Sequence, residues 1–243
     1  MSRFVFRLTT SVSSFVLLFL VSSLSADHRT PKLYPPGLER GDQYRLFFTT
    51  SESRDATFSN INIYNEFVQS VADAAPVVGS WDIEWNAVIS TRRVDARDNT
   101  GTNDDVDPVG APIYLLDGSL YARTNFDLWN EEANLNVTIG LTELGTILPI
   151  VPDGPNGEDG VIQVWTGSNE NGVAFAPAGQ GLVSIGAAST TGAAQFSFTS
   201  LPPIVDRPLY AMSEVLTVPE PGFGWCLWPA LLIVLLKSRQ SVA

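Results

Sequence analysis

The hydrophobic and polar positions of this chain change rhythm several times along its 243 residues. Residues 44–49 (YRLFFT) form a run of aromatic and β-favouring side chains, which predicts a strand. Between residues 60 and 75 the apolar positions Ile63, Tyr64, Phe67, Val68, Val71 and Ala75 recur at steps of three and four. That rhythm predicts an amphipathic helix, with Ser59 as its N-cap and Pro76 as its stop. Residues 85–90 (WNAVIS) predict the next strand, and 91–111 a long charged loop. PIYLLDGSLYA (112–122) predicts two strands around a turn at Asp117-Gly118. TNFDLWNEE (124–132) predicts a short helical turn with Phe126, Leu128 and Trp129 facing inward. Residues 133–160 are rich in loop formers, and 161–168 (VIQVWTGS) alternate Val and Trp as a strand does. A Gly- and Ala-rich loop is predicted over 169–194, and QFSFTS and RPLYAMSEVLTV supply the last strands. Regular strand–helix alternation is missing, so the fold class is α+β. The expectation is a single compact domain with one main amphipathic helix, short and mostly antiparallel strands, and long loops.

The two ends follow different rules. Residues 1–26 place Arg3 and Arg7 before a short apolar run, then small residues up to Ala26. This is the pattern of a secretory signal peptide, removed by signal peptidase. Its apolar run is too short for a ~20-residue membrane span. Residues 27–40 are Pro-rich and read as an extended, flexible leader. Residues 41–217 are the extracellular α+β domain, and 218–243 a sorting or anchor segment. That last segment begins Val218-Pro219-Glu220-Pro221-Gly222. An apolar run of 14 residues from Phe223 to Leu236 follows, and then Lys237 and Arg239. The prolines break any helix at the motif, so an extended, protease-accessible stretch precedes a short membrane-directed run.

Charge narrows the partners. The four basic residues of the two end segments leave ten bases against 26 acids between Asp27 and Gly222, a net charge of −16. Such a surface repels a phosphate backbone, which excludes nucleic acid as a partner. The single cysteine, Cys226, lies in the terminal apolar run, so the body has no disulfide framework and no thiolate site.

The motif, the apolar run and the two basic residues together resemble the PEP-CTERM sorting signal of Gram-negative bacteria. The resemblance implies recognition by an exosortase-type membrane protease. It also implies processing near the motif, transient inner-membrane anchoring through the C-terminal helix, and export to the cell surface or extracellular matrix. Proteins of this kind are associated with exopolysaccharide and biofilm. The body, from GDQYRLFFTTSESRDAT through WNAVISTRRVDARDNTG and PIYLLDGSLYA to RPLYAMSEVLTVPEP, looks like a recurring PEP-CTERM protein body. More distantly, the order of helix, WNAVISTRRVDA, PIYLLDGSLYA, DLWN and VWTGSNENG is similar to the endostatin-like branch of the C-type lectin-like fold. The zinc and disulfides of endostatin do not carry over, because the necessary His and Cys residues are absent.

Little in the body suggests catalysis. His28 is the only histidine and no Gly-x-Ser-x-Gly elbow is present, which removes a Ser-His-acid triad and a His-based zinc site. Paired carboxylates remain, drawn from Glu66, Asp82, Glu84, Asp117, Asp127 and Glu143, and nothing in their spacing selects a pair. Two oxygen-rich loops are calcium candidates: Asn103-Asp104-Asp105-Val106-Asp107, and the loop carrying Asp153, Asn156, Glu158 and Asp159. Neither has the EF-hand spacing, and a solvated acidic loop explains both. Arg92, Arg93, Asp95, Arg97 and Asp98 read as a structural ion-pair network that holds the long loop to the body. Trp85, Trp129 and Trp165 read as core, with Trp81 the most exposed of the four. The resulting expectation is a structural or adhesive protein without enzymatic activity. Its rivals are a secreted carbohydrate-active hydrolase using paired carboxylates, and a membrane-tethered protein that keeps its tail.

Overall fold

The aromatic-rich run near the start of the body becomes the strand around which everything else is arranged. The computed structural model describes residues 28–130, 137–150 and 160–220. In chain order its elements are β1 (Gln43–Thr49), α1 (Ile61–Ala74), β2 (Trp85–Ala87), α2 (Ala96–Asn99), β3 (Ile113–Leu115), β4 (Leu120–Ala122) and α3 (Asn125–Trp129). The second half carries β5 (Gln163–Trp165), β6 (Val183–Ala187), β7 (Thr199–Leu201), β8 (Tyr210–Ser213) and β9 (Leu216–Thr217). One sheet has the order β2-β8-β1-β3-β4, with β9 also paired to β1; a second has the order β5-β6-β7. All pairings between these strands are antiparallel except that of β1 with β3. The α+β class is therefore shown. After Gln43 every residue of β1 is buried, as expected of a strand covered on both faces.

Helix α1 is capped by Asn60, not by the expected Ser59. The Asn60 side chain accepts the Asn62 N–H at 3.2 Å, which satisfies one of the orphan donors of the first turn. Tyr64, Val68, Val71 and Ala72 are its buried face. Its polar residues matter as much. Asn65 accepts the Ala87 N–H at 2.9 Å and Gln69 accepts the Trp85 N–H at 2.8 Å, while Asn99 donates to the Ala87 carbonyl at 2.7 Å. These are the groups of β2 that face away from β8, so side-chain amides close the sheet edge.

The two sheets share one core. Ring contacts run Tyr121–Phe47–Tyr210–Phe196–Trp129, with centroids 5.2, 5.5, 5.8 and 5.0 Å apart. Gln195, fully buried in a short 3-10 turn, fixes this chain of rings. It accepts the Tyr121 hydroxyl at 2.7 Å through its side chain and the Tyr210 hydroxyl at 2.9 Å through its backbone carbonyl.

Several sequence expectations are corrected. The 169–194 loop contains β6, the central strand of the second sheet. All five of its residues are buried, so no polar alternation marked it. QFSFTS is a turn before it is a strand, and the charged 91–111 loop contains α2. Phe126 is 51% exposed, and Asn125 takes the buried place beside Leu128 and Trp129. The leader packs on the body: Pro31 and Pro35 are buried, Arg29 N–H donates to the Gly145 carbonyl at 2.6 Å and Lys32 N–H to Leu116 at 2.7 Å. His28 lies at its exposed start, bridged to Thr146. Residues 1–26 and most of the terminal segment lie outside the described residues.

Candidate functional site

The site of greatest interest is where the chain leaves the body towards the Val218–Pro221 segment. It is built from β1, the turn before it, and the last two strands. β8 runs along β1 through Met212 and departs at Ser213. There the Ser213 hydroxyl accepts the Leu46 N–H at 2.9 Å, replacing a backbone acceptor. The buried Arg45 guanidinium donates to the Ser213 carbonyl at 2.8 Å and to the Gly101 carbonyl at 3.1 Å. Burial lowers the affinity of Arg45 for its proton, and the carboxylates of Asp107 and Glu214 oppose that effect. The side chain stays charged. Glu214 N–H then bonds the Glu84 carbonyl at 3.0 Å.

β9 rejoins β1 two residues later, pairing Thr217 with Gln43 and Leu216 with Tyr44. The ladder ends on a bulge. Asp42 N–H returns to the Glu39 carbonyl at 3.1 Å, Gly41 N–H donates to Val218 at 3.0 Å, and Val218 N–H donates to Asp42 at 3.0 Å. Gly41 has φ +84°, the left-handed conformation that the third residue of such a turn and the first of a G1 bulge both require. Val218 is half-buried and packs on the core, whereas Pro219 and Glu220 are exposed. Proline has no N–H with which to extend the ladder. The change from clamped to exposed chain thus falls at a single peptide bond, inside the predicted motif. Pro221 lies outside the described residues. Sequence reading missed Arg45, Ser213 and the bulge; Glu39-Arg40-Gly41-Asp42 before a strand was the available signal.

The other candidate residues disperse. Glu66, Asp82 and Glu84 are exposed and Asp127 is half-exposed. Asp117 pairs with Arg29 at 2.6 Å and accepts the Ser119 N–H at 2.9 Å. Burial alone would raise its carboxyl; the Ser119 and Arg29 hydrogen bonds outweigh burial and hold it below the usual range. Glu143 is buried at 2% exposure and accepts both the N–H and the hydroxyl of Ser51. Burial raises its carboxyl above the usual range despite those bonds, and Glu52 adds to the rise.

In the first acidic loop one side-chain oxygen each of Asn103, Asp104, Asp105 and Asp107 is engaged within the protein. Arg97 bonds Asp104 at 3.1 Å and Asp105 at 2.6 Å, Asn103 accepts the Asp105 N–H, and Asp107 accepts the Val109 and Gly110 N–H groups. Among the described residues no group of three or more His, Cys, Asp or Glu is arranged to hold a metal. The calcium candidates Asp153, Asn156, Glu158 and Asp159 lie outside the described residues. Arg97 is the hub of the mixed-charge patch. Asp95 accepts the Ala174 N–H at 2.8 Å, Asp98 accepts Asn103, and Arg92 and Arg93 face solvent. Trp85, Trp129 and Trp165 are core, and Trp81 is half-buried against it. No helix among the described residues is long and apolar enough to cross a membrane.

No protein-family model matches the chain, and no curated protein matches it. The functional reading therefore rests on its own residues.

Proposed function

We propose that this is an exported cell-surface or extracellular-matrix protein, sorted by its C-terminal segment. Signal peptidase removes residues 1–26, and an exosortase-type membrane protease recognises Val218, Pro219, Glu220 and Pro221. The apolar run from Phe223 holds the chain at the inner membrane only until that processing. The released body is structural or adhesive rather than enzymatic, has a C-type lectin-like arrangement, and works in contact with exopolysaccharide in a biofilm.

The observation that carries this reading is the order of three parts: motif, apolar run, basic residues. It is supported by the exposure of Pro219 and Glu220 directly beyond the last backbone bond of the body. It is supported also by the acidic, disulfide-free composition, which suits a soluble secreted domain. The test is to replace Pro219, Glu220 and Pro221 together by Ala in the native host. The expected result is a cell-bound protein that has lost residues 1–26 but still carries residues 223–243. Unchanged mature mass and location would sink the proposal.

A further inference from the structure

We propose that residues 214–218 are a strap, and that its release from β1 sets the rate at which the sorting segment is processed. This rests on the sorting reading above. The reach of the chain makes the case. From Val218, the last bonded residue, to Phe223, where the apolar run begins, there are five steps of backbone, at most roughly 17 Å when fully extended. An α-helix with its side chains is already ~10–12 Å across. A membrane protease that grips the motif in extended form has almost no chain to grip while the strap is closed.

The structure also fixes how far the strap can open. Its inner end is anchored by Arg45 on the Ser213 carbonyl and by the Ser213 hydroxyl on Leu46. Its outer part is weak. β9 has two residues, Leu216 and Val218 are only half-buried, and Val215 and Thr217 are exposed. Short segments with few buried contacts open at low cost, without global unfolding. Opening as far as Ser213 lengthens the free chain by five residues, about another 17 Å. The step that follows breaks one peptide bond near the motif. Its acyl carbon passes to water or to an acceptor amine, and the tail leaves with a new amino terminus.

Gln43 and Thr217 face each other and are both exposed. They sit next to the pair joined through Val218 and Asp42, so they form a non-hydrogen-bonded pair with Cα atoms ~4.5 Å apart, within disulfide range. The experiment is a Gln43→Cys, Thr217→Cys double variant in a Cys226→Ala background, which serves as its own reference. Processing is followed by intact mass in the native host, with and without reductant. We expect the oxidised lock to slow processing by ~10-fold or more, as local opening equilibria allow, with full recovery on reduction. A second variant inserts four Gly/Ser residues between Thr217 and Val218, beyond the lock, and keeps Val218–Pro221 contiguous. It should be processed faster than the reference and should be insensitive to the lock. Processing at the reference rate with the disulfide formed would overturn the strap while leaving the sorting reading intact. A reference that is never cut near Pro219 would overturn both.

Discussion

Gly186 shows how much one missing side chain can decide. It lies in β6, and a Cβ there would come within 1.8 Å of the Gln195 carbonyl oxygen. That carbonyl receives the Tyr210 hydroxyl, and the Gln195 amide receives Tyr121. Gly186→Ala must therefore push the turn off the sheet and disturb the ring chain, at a cost of about 1–3 kcal/mol. Urea unfolding checks this: the midpoint should fall with little change in slope. Gly181→Ala, where a Cβ would meet nothing within 4 Å, should be near neutral. Glu143 gives a second prediction. Its folded-state carboxyl is raised, so the folded state binds more protons than the unfolded chain as pH rises from the ordinary glutamate range. Its contribution to stability is fully present at acid pH and is lost as pH rises through the folded value. Glu143→Gln keeps an acceptor for Ser51 and removes that titration. Melting temperatures between about pH 4 and pH 7 should show the variant matching the parent in acid and exceeding it at neutrality. A variant with the parent's pH dependence would show that Glu143 does not titrate as argued.

At the scale of elements, α1 does two jobs with two faces. Its apolar stripe enters the core, and its amides at Asn65 and Gln69 close the edge of β2. Asn65→Ala leaves the Ala87 N–H without its acceptor and removes the amide bonds between Asn65 and Asn99, while Asn99 keeps its bond to the Ala87 carbonyl. The expected loss is about 1–3 kcal/mol, the usual cost of stranding a buried polar group, read from urea unfolding. A loss below a few tenths would mean that water replaces the amide. The helix and β1 were legible because their apolar spacing matched one period each, and the turn at Asp117-Gly118 because its residues specify it. The role of Asn65 and Gln69 was not legible, since a polar face carries no sign of whether it meets water or a strand edge. β6 was hidden by burial on both faces and by the glycine that the Gln195 turn demands. The exit site was half-legible. The Pro-Glu-Pro stretch marked where the regular chain stops, but Arg45 and Ser213 hold the chain there through pairings 167 and 168 positions apart in sequence.

For the whole molecule, the continuous core cluster spans both sheets and includes Trp85, Trp129 and Trp165. The body should therefore unfold as one unit, with tryptophan fluorescence and far-ultraviolet circular dichroism tracing the same transition. Separate midpoints would divide the sheets into independent parts. The same architecture gives the body an acidic surface, a leader packed against it, and an exit that turns from clamped to exposed within the motif. The most direct measurement is the intact mass of the protein recovered outside the cells of its native host. The sorting reading predicts a chain that starts near Asp27 and ends near the Pro219–Pro221 motif, without the apolar run. A recovered chain that still carries residues 223–243, or a protein found only inside the cell, would contradict it.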